Sequence, residues 1–346
     1  FLLLACEKQT IIIGEITASA TTRIYYVQAE IVEWDYVPLG YNLISNMPFN
    51  ESEQVYTKPD SNRIGNKYLK ARYIEYTDAT YTVQKPQESP DLGIIGPIFR
   101  AEVGDSIIVY FRNKTNFPVS IHPHGVRYDS ISEGIKGILP NQSFTYSWVA
   151  DGNSVPSYND PSSLGWVYHS HVHENENMDV YAGLVGALVI YQKGFLNNGK
   201  NKNVDVEKFA IIYEIDESAS ILFDQNLAKY IRIPIDTTDP DFLESNTKPS
   251  INGRMFGNNI FTGIKINDRV RWHIFTFGDL RDNFHTAHWH GNTVVFAGTR
   301  TDVIQIGPAN LFTVDMVASN PGRWFFHCHV DTHFAEGMSS VYLVSN

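Results

Sequence analysis

The chain repeats itself once, and that duplication constrains its fold more than any other feature. In the first half AEVGDSIIVYFRN (101–113) precedes IHPHG (121–125), followed by GWVYHSHV (165–172) and YAGLVGALVIY (181–191). In the second half IKINDRVRWHIFTFG (264–278) precedes HTAHWHG (285–291), followed by GRWFFHCHV (322–330) and AEGMSSVYLV (335–344). The period is far longer than that of any solenoid, so the repeat means two like domains. A length of 346 residues suits two domains of ordinary size. With 43% hydrophobic and 13% aromatic residues, each can bury a core, and the chain is globular rather than disordered.

The local pattern is strand-like nearly throughout. TRIYYVQAEIVEWDYV, ARYIEYTDATYTVQ, DSIIVYFRN, QSFTYSWVA and GALVIYQ alternate or run apolar. They are rich in β-branched and aromatic residues and are separated by Gly, Pro, Asn and Asp clusters, which predicts an all-β chain of sandwich or barrel domains. GFLNNGKNKNVD (194–205) reads as the boundary, because a fresh strand, KFAIIYEID, starts after it. The expected division is residues 21–195 for the first domain and 196–346 for the second. Residues 1–20 read as a residual signal segment and tether. Phe1–Ala5 looks like the end of a signal-peptide apolar region, and Leu3-Leu4-Ala5-Cys6 resembles a bacterial lipobox, which makes Cys6 a candidate lipid anchor. That places the protein outside the cytoplasm, secreted or anchored at the cell envelope. The net charge of -11 argues against a general nucleic-acid binder.

The chemistry lies in the histidines. Four H-x-H pairs occur: His122/His124, His169/His171, His288/His290 and His327/His329. Twelve histidines placed at random in this length give fewer than one such pair. In a strand, residues two apart share a face, so each pair presents two imidazoles together, as a metal site needs. Cys328 lies between His327 and His329 and so points to the opposite face. A thiolate (Cys328), an imidazole (His333) and a thioether (Met338) follow one another within a short span, spaced C-x4-H-x4-M. This is the soft and borderline ligand set that selects copper, and a weak Met beside Cys and two His is the blue-copper set. His285, three residues before His288, can supply the second imidazole. The chain's remaining cysteine is Cys6, so no intramolecular disulfide is left if Cys328 is a ligand. The first half lacks this site: aligned on the H-x-H pairs, Val119 stands for His285, Ser170 for Cys328 and Asn175 for His333, with Leu184 near the place of Met338.

IHPHG, YHSHV, HTAHWHG and HCHVDTHFAEGM resemble the copper motifs of the multicopper oxidases. RIYYVQAEIVEWDY, KARYIEYTDATYTVQKP and LGIIGPIFRAEVGDSIIVYFRNKT resemble the A domains of ceruloplasmin, hephaestin and the coagulation cofactors. The resemblance covers residues 22 to 346 and implies two tandem cupredoxin-like Greek-key domains, β-barrels or sandwiches. It also implies one type 1, one type 2 and two type 3 coppers per site. The family pattern gives type 1 copper His285, Cys328, His333 and Met338, and type 2 copper His122 and His288. One type 3 copper takes His124, His169 and His329; the other takes His171, His290 and His327. The implied reaction is one-electron oxidation of a reductant at type 1 and reduction of O2 to water at the trinuclear cluster. Cys328, His327 and His329 are the implied catalytic link between the two. Copper nitrite reductase and a copper-binding module without catalysis are the alternative readings.

The cluster needs histidine pairs from both domains. In the six-domain relatives they come from the first and last domains of a ring, which three copies of a two-domain chain can rebuild. The expectation is therefore a homotrimer with clusters at subunit interfaces. Fe2+ or a phenol is the expected small reductant, with Asp282, Asp331 and Glu336 as candidate iron-holding carboxylates. One departure from the family counts against iron: Thr332, not an acid, directly precedes His333. His173 reads as a partly exposed neighbour of the cluster and His273 as an ordinary strand residue. Asp129, Glu133 and Glu174 read as loop carboxylates rather than proton relays.

Overall fold

The computed structural model describes residues 20–151, 156–157, 160–173, 175–278 and 284–346. Cys6, Asp282 and Glu174 lie outside the described residues.

The duplication holds at the level of hydrogen-bonded strand order. In the first half the strands Lys67–Tyr76, Thr22–Asp35, Ser106–Asn113 and Ser143–Val149 form one sheet in that order. Their pairings are antiparallel, parallel and antiparallel. In the second half Thr247–Ile251, Val206–Asp216, Arg269–Phe275 and Leu311–Val317 repeat that order and those directions, and two short strands extend the edge. The second sheet of the first half runs Ile98–Glu102, Val185–Tyr191, Ser163–His169, His122–Pro123. Its counterpart runs Ile260–Lys265, Ser339–Ser345, Gly322–Cys328, His285–Trp289, closed by Val303–Ile306. The architecture is all-β and cupredoxin-like, two sheets face to face in each half. Helices are short: Asn177–Tyr181 and Asp331–Ala335 occupy the same place in the two halves, between the last histidine strand and the strand that follows.

Each half has its own core. One cluster contains Val109, Phe111, Tyr146, Trp148 and Tyr168; the other contains Trp272, Trp289, Phe326, Cys328, Met338 and Tyr342. A third cluster draws on both halves, with Trp34, Tyr36, Ile94 and Val189 packed among Phe209, Tyr213, Met255 and Phe275. Polar groups buried at this junction are paired across it. Lys70 meets Glu217 at 2.7 Å and Lys208 meets Asp91 at 2.5 Å. Trp34 Nε1 donates to the Gly253 carbonyl at 2.6 Å. Removing one partner of such a pair leaves a buried charge uncompensated, so the two halves are held in one arrangement.

The glycine after each leading histidine pair has a structural cause. Gly125 and Gly291 both take positive φ, 73° and 71°. A Cβ at Gly125 would run into the Trp166 ring, and one at Gly291 into the Trp324 ring. The chain must turn sharply after the second histidine while lying flat on a tryptophan, and only glycine meets both demands.

Candidate metal centres

His122 pairs directly with His169 across an antiparallel ladder, and His288 with His327 in the same way; Ala287 faces Cys328. The histidines of each half therefore meet at the same end of the sheet.

Three groups of converging donor atoms result. His285, Cys328 and His333 form the first. The Nδ1 atoms of His285 and His333 are 3.1 Å apart, and Cys328 Sγ lies 3.9 Å from the one and 3.6 Å from the other. A point about 2.1 Å from all three donors exists inside that triangle, which matches metal bonds of about 2.0–2.3 Å to imidazole and thiolate. Met338 is fully buried beside it, its carbonyl accepting from Cys328 N at 3.1 Å. Burial pushes the Cys328 thiol up, opposed by the backbone N–H groups of Thr286 and Val330. Burial, with His333 adding to it, depresses His285 to about 3, so its imidazole is neutral and ready to bind at neutral pH.

The other two groups mirror one another: His122, His124 and His169 in the first half, His288, His290 and His327 in the second. His169 turns its Nδ1 to the Ser170 carbonyl at 3.0 Å and its Nε2 to His124 Nε2 at 3.1 Å. His327 turns its Nδ1 to the Cys328 carbonyl at 2.7 Å and its Nε2 to His290 Nε2 at 2.9 Å. A carbonyl on Nδ1 fixes the ring and leaves Nε2 for an ion. The Glu133 carbonyl does the same for His122 at 2.6 Å. His288 departs from the mirror: its Nδ1 faces His327 Nε2 at 3.1 Å and its Nε2 lies 3.8 Å from Asp302. Burial depresses His169 to about 3 and His124 and His327 to about 4, and lowers His288 and His290.

The donor atoms of His171 and His329 do not converge with these groups, although the His171 ring lies 5.3 Å from His122 and 5.6 Å from His169, and the His329 ring 4.9 Å from His288 and 5.7 Å from His327. Both follow the end of their strand, at His169 and Cys328 respectively, so the two-residue alternation no longer governs them. His171 approaches Glu176 at 3.2 Å, and His329 is exposed. Among the described residues, no ring contact or hydrogen bond joins a cluster histidine of the first half to one of the second.

The counterpart of His333 in the first half is Asp179, not Asn175. Met338 N donates to the His333 carbonyl and Cys328 N to the Met338 carbonyl. In the first half Leu184 N donates to the Asp179 carbonyl and Ser170 N to the Leu184 carbonyl. The Cys-to-His spacing of five residues becomes nine between Ser170 and Asp179, a four-residue insertion that a count from Ser170 misplaces. Counting back from the following strand finds it, since five residues separate Asp179 from Leu184 as they do His333 from Met338.

The remaining candidates take ordinary places. His273 is buried, stacked on Phe209, and faces Glu207 at 3.5 Å. His173 bonds Asp179 at 2.7 Å. Asp129 caps a turn by accepting from Ser132 N at 2.8 Å, and Glu133 contributes its carbonyl to His122. Asp331 is exposed at the start of the helix bearing His333, and Glu336 is half-buried at its end.

Known proteins agree with this chemistry. The multicopper oxidase family matches residues 77–194 and again 232–346. Human hephaestin is 36% identical over 345 residues, covering 94% of this chain and 29% of hephaestin. A human protein named ferroxidase HEPHL1 is 36% identical, with 94% and 29% covered. Human ceruloplasmin is 34% identical, with 93% and 32% covered. The chain thus spans about a third of the length of these relatives. Among solved structures, a multicopper oxidase superposes with a TM-score of 0.61 at 19% identity, covering 94% of this chain and 90% of that one. The blue copper oxidase of Nitrosomonas europaea gives 0.59 at 19%, with 93% and 86% covered; both likenesses concern the fold. With family matches in both halves, and with the histidine and cysteine donors gathered as a copper protein needs them, the chain belongs to the multicopper oxidases, on the branch of hephaestin and ceruloplasmin.

Proposed function

We propose that this chain is a copper oxidase that couples one-electron oxidation of a small reductant to reduction of O2 to water. Its working units are residues 21–195 and 196–346. In this reading His285, Cys328, His333 and Met338 hold type 1 copper, and His122 with His288 hold type 2. His124, His169 and His329 hold one type 3 copper, and His171, His290 and His327 the other. When bound, copper supplies the one-electron redox chemistry and the activation of oxygen.

The observation that carries this reading is which imidazoles stay out of the local groups. His124 with His169, and His290 with His327, already lie at ligand spacing within their own halves. The rings of His171 and His329 pack beside these groups, but their donor atoms do not converge with them, and these are the two that the ligand pattern sends to the opposite domain's copper. Each half thus keeps two donors for its own type 3 ion and offers one to its neighbour. The paired charges and packing at the junction hold the halves of one chain in place, so the facing half-site comes from another copy, and a homotrimer closes the ring.

The residues do three things. Burial and mutual repulsion keep the His169, His285 and His327 imidazoles neutral for binding. Carbonyls on Nδ1 aim His122, His169 and His327. Cys328, joined through backbone to His327 and His329, forms one short covalent path between the two ligand sets. Fe2+ is the favoured reductant, because a relative is named a ferroxidase and Asp331 and Glu336 flank His333. The lipobox-like start favours an extracytoplasmic location with a lipid on Cys6. No helix among the described residues is long and apolar enough to cross a membrane.

Oxygen uptake by the copper-loaded protein, with Fe2+, a phenol and nitrite offered separately, tests the reading. Fe2+-driven uptake is expected, with a weaker response to phenol. Nitrite reduction without oxygen uptake, or no turnover at full copper loading, overturns it.

A further inference from the structure

The place that holds copper ligands in the second half is filled in the first half by a hydrogen-bonded carboxylate. Asp179 is fully buried. Its Oδ2 accepts from Ser170 Oγ at 2.9 Å and from Val172 N at 3.1 Å, and its Oδ1 meets His173 Nδ1 at 2.7 Å. Ser120 N donates to Ser170 Oγ at 3.2 Å, and His171 N to Ser120 Oγ at 3.1 Å. The second half repeats the frame with other atoms. Thr286 N donates to Cys328 Sγ at 3.4 Å, His329 N to Thr286 Oγ1 at 3.0 Å, and Val330 N toward the same sulfur. Val172 and Val330 occupy equivalent positions. Their N–H groups point at a carboxylate oxygen in one half and at the cysteine sulfur in the other.

We propose that Asp179 is the positioning residue of the first half-site, a metal-free replacement for the blue copper that fixes the backbone on both sides of His171. One oxygen grips the residues on both sides of His171, through Ser170 Oγ and Val172 N. The third contact, from His173, fixes the carboxylate itself. Val119 and Leu184, which replace His285 and Met338, are both fully buried and offer no competing donor. A hydrogen bond to a charged acceptor in a closed apolar setting is strong, and its loss frees the segment it holds. This inference rests on the reading of His171 as a ligand.

Asp179→Asn, which keeps the shape and removes the charge, tests it in the full-length protein, with Ser170→Ala as the milder variant. In the metal-free protein, amide exchange at His171 and Val172 is expected to speed up by about ten- to hundredfold in Asp179→Asn, the loss of one charged hydrogen bond, and by less in Ser170→Ala. After copper loading, cluster copper and type 3 absorption fall, while the blue band of the intact second half is kept. Unchanged exchange overturns the proposal. Faster exchange with full cluster copper also overturns it, because Asp179 would then only stabilise the loop. If wild-type protein binds blue-site copper alone, the assignment of His171 as a ligand fails, and this role for Asp179 fails with it. The exchange result separates the two failures.

Discussion

Residues 165–173 and 175–184 in the first half and 322–338 in the second share one hydrogen-bonding frame, apart from the four-residue insertion, and fill it differently. In both, a histidine strand ends beside its partner, a Ser or Thr side chain holds the N–H of the second histidine of the pair, and a short helix ends with three residues left before the following strand. In one the frame closes around a Ser–Asp hydrogen bond, in the other around a sulfur and two imidazoles. The comparison teaches that the two histidine sets and the cysteine-centred set are separable: the frame can present two H-x-H pairs whether a cysteine or a Ser–Asp hydrogen bond sits behind it.

Exchanging the fillings should break the likeness most severely. Cys328→Ser gives the second half the serine of the first. It should abolish the blue band and reduce oxidase turnover to background, with absorption and oxygen uptake as the readouts. The reverse exchange is Val119→His, Ser170→Cys, Asp179→His and Leu184→Met in a Cys328→Ser background. It should restore a thiolate–copper band from the first half. The same set with Asn175→His in place of Asp179→His should not, which tests the register directly.

Metal-free protein should lose stability on acidification. His169 and His285 sit near 3 and His124 and His327 near 4 in the fold, against about 6.5 in the unfolded chain. Above that value both states are neutral and the shifts contribute nothing. Below it the unfolded chain takes up protons that the fold refuses, so stability falls from about pH 6.5 down towards pH 4. The thermal midpoint as a function of pH checks this, and bound copper should delay the fall.

A smaller effect should be nearly equal in the two halves. Gly125→Ala and Gly291→Ala each place a methyl group against a tryptophan at positive φ. Each should cost about 2–4 kcal/mol in urea unfolding, from overpacking and backbone strain together. Unequal costs would mean that the shared frame is less alike than its hydrogen bonds suggest.

Much of this was legible in the sequence, for identifiable reasons. The duplication carried the sheet order, because equal strings of strand-forming residues build equal ladders. Period-two alternation placed Cys328 opposite His327, and His285 and His333 do converge on the sulfur. Alternation stopped informing where the strands stopped, so the separate courses of His171 and His329 were hidden. Asp179 was hidden from a count forward from Ser170 by the four-residue insertion, and also because an Asp in a polar stretch reads as solvated; its burial and its spacing from the following strand identify it. The junction pairs Lys70–Glu217 and Lys208–Asp91 join residues 147 and 117 positions apart, a distance over which no local pattern speaks.

The proposed function requires that each chain carry a complete blue site and two open half-sites that another copy must close. Native mass spectrometry of the copper-loaded protein tests it most directly. The account predicts a trimer carrying one blue-site copper and three cluster coppers per chain, which loses the cluster coppers when it dissociates but keeps the blue-site copper on each monomer. A monomer that retains the full copper complement would contradict it.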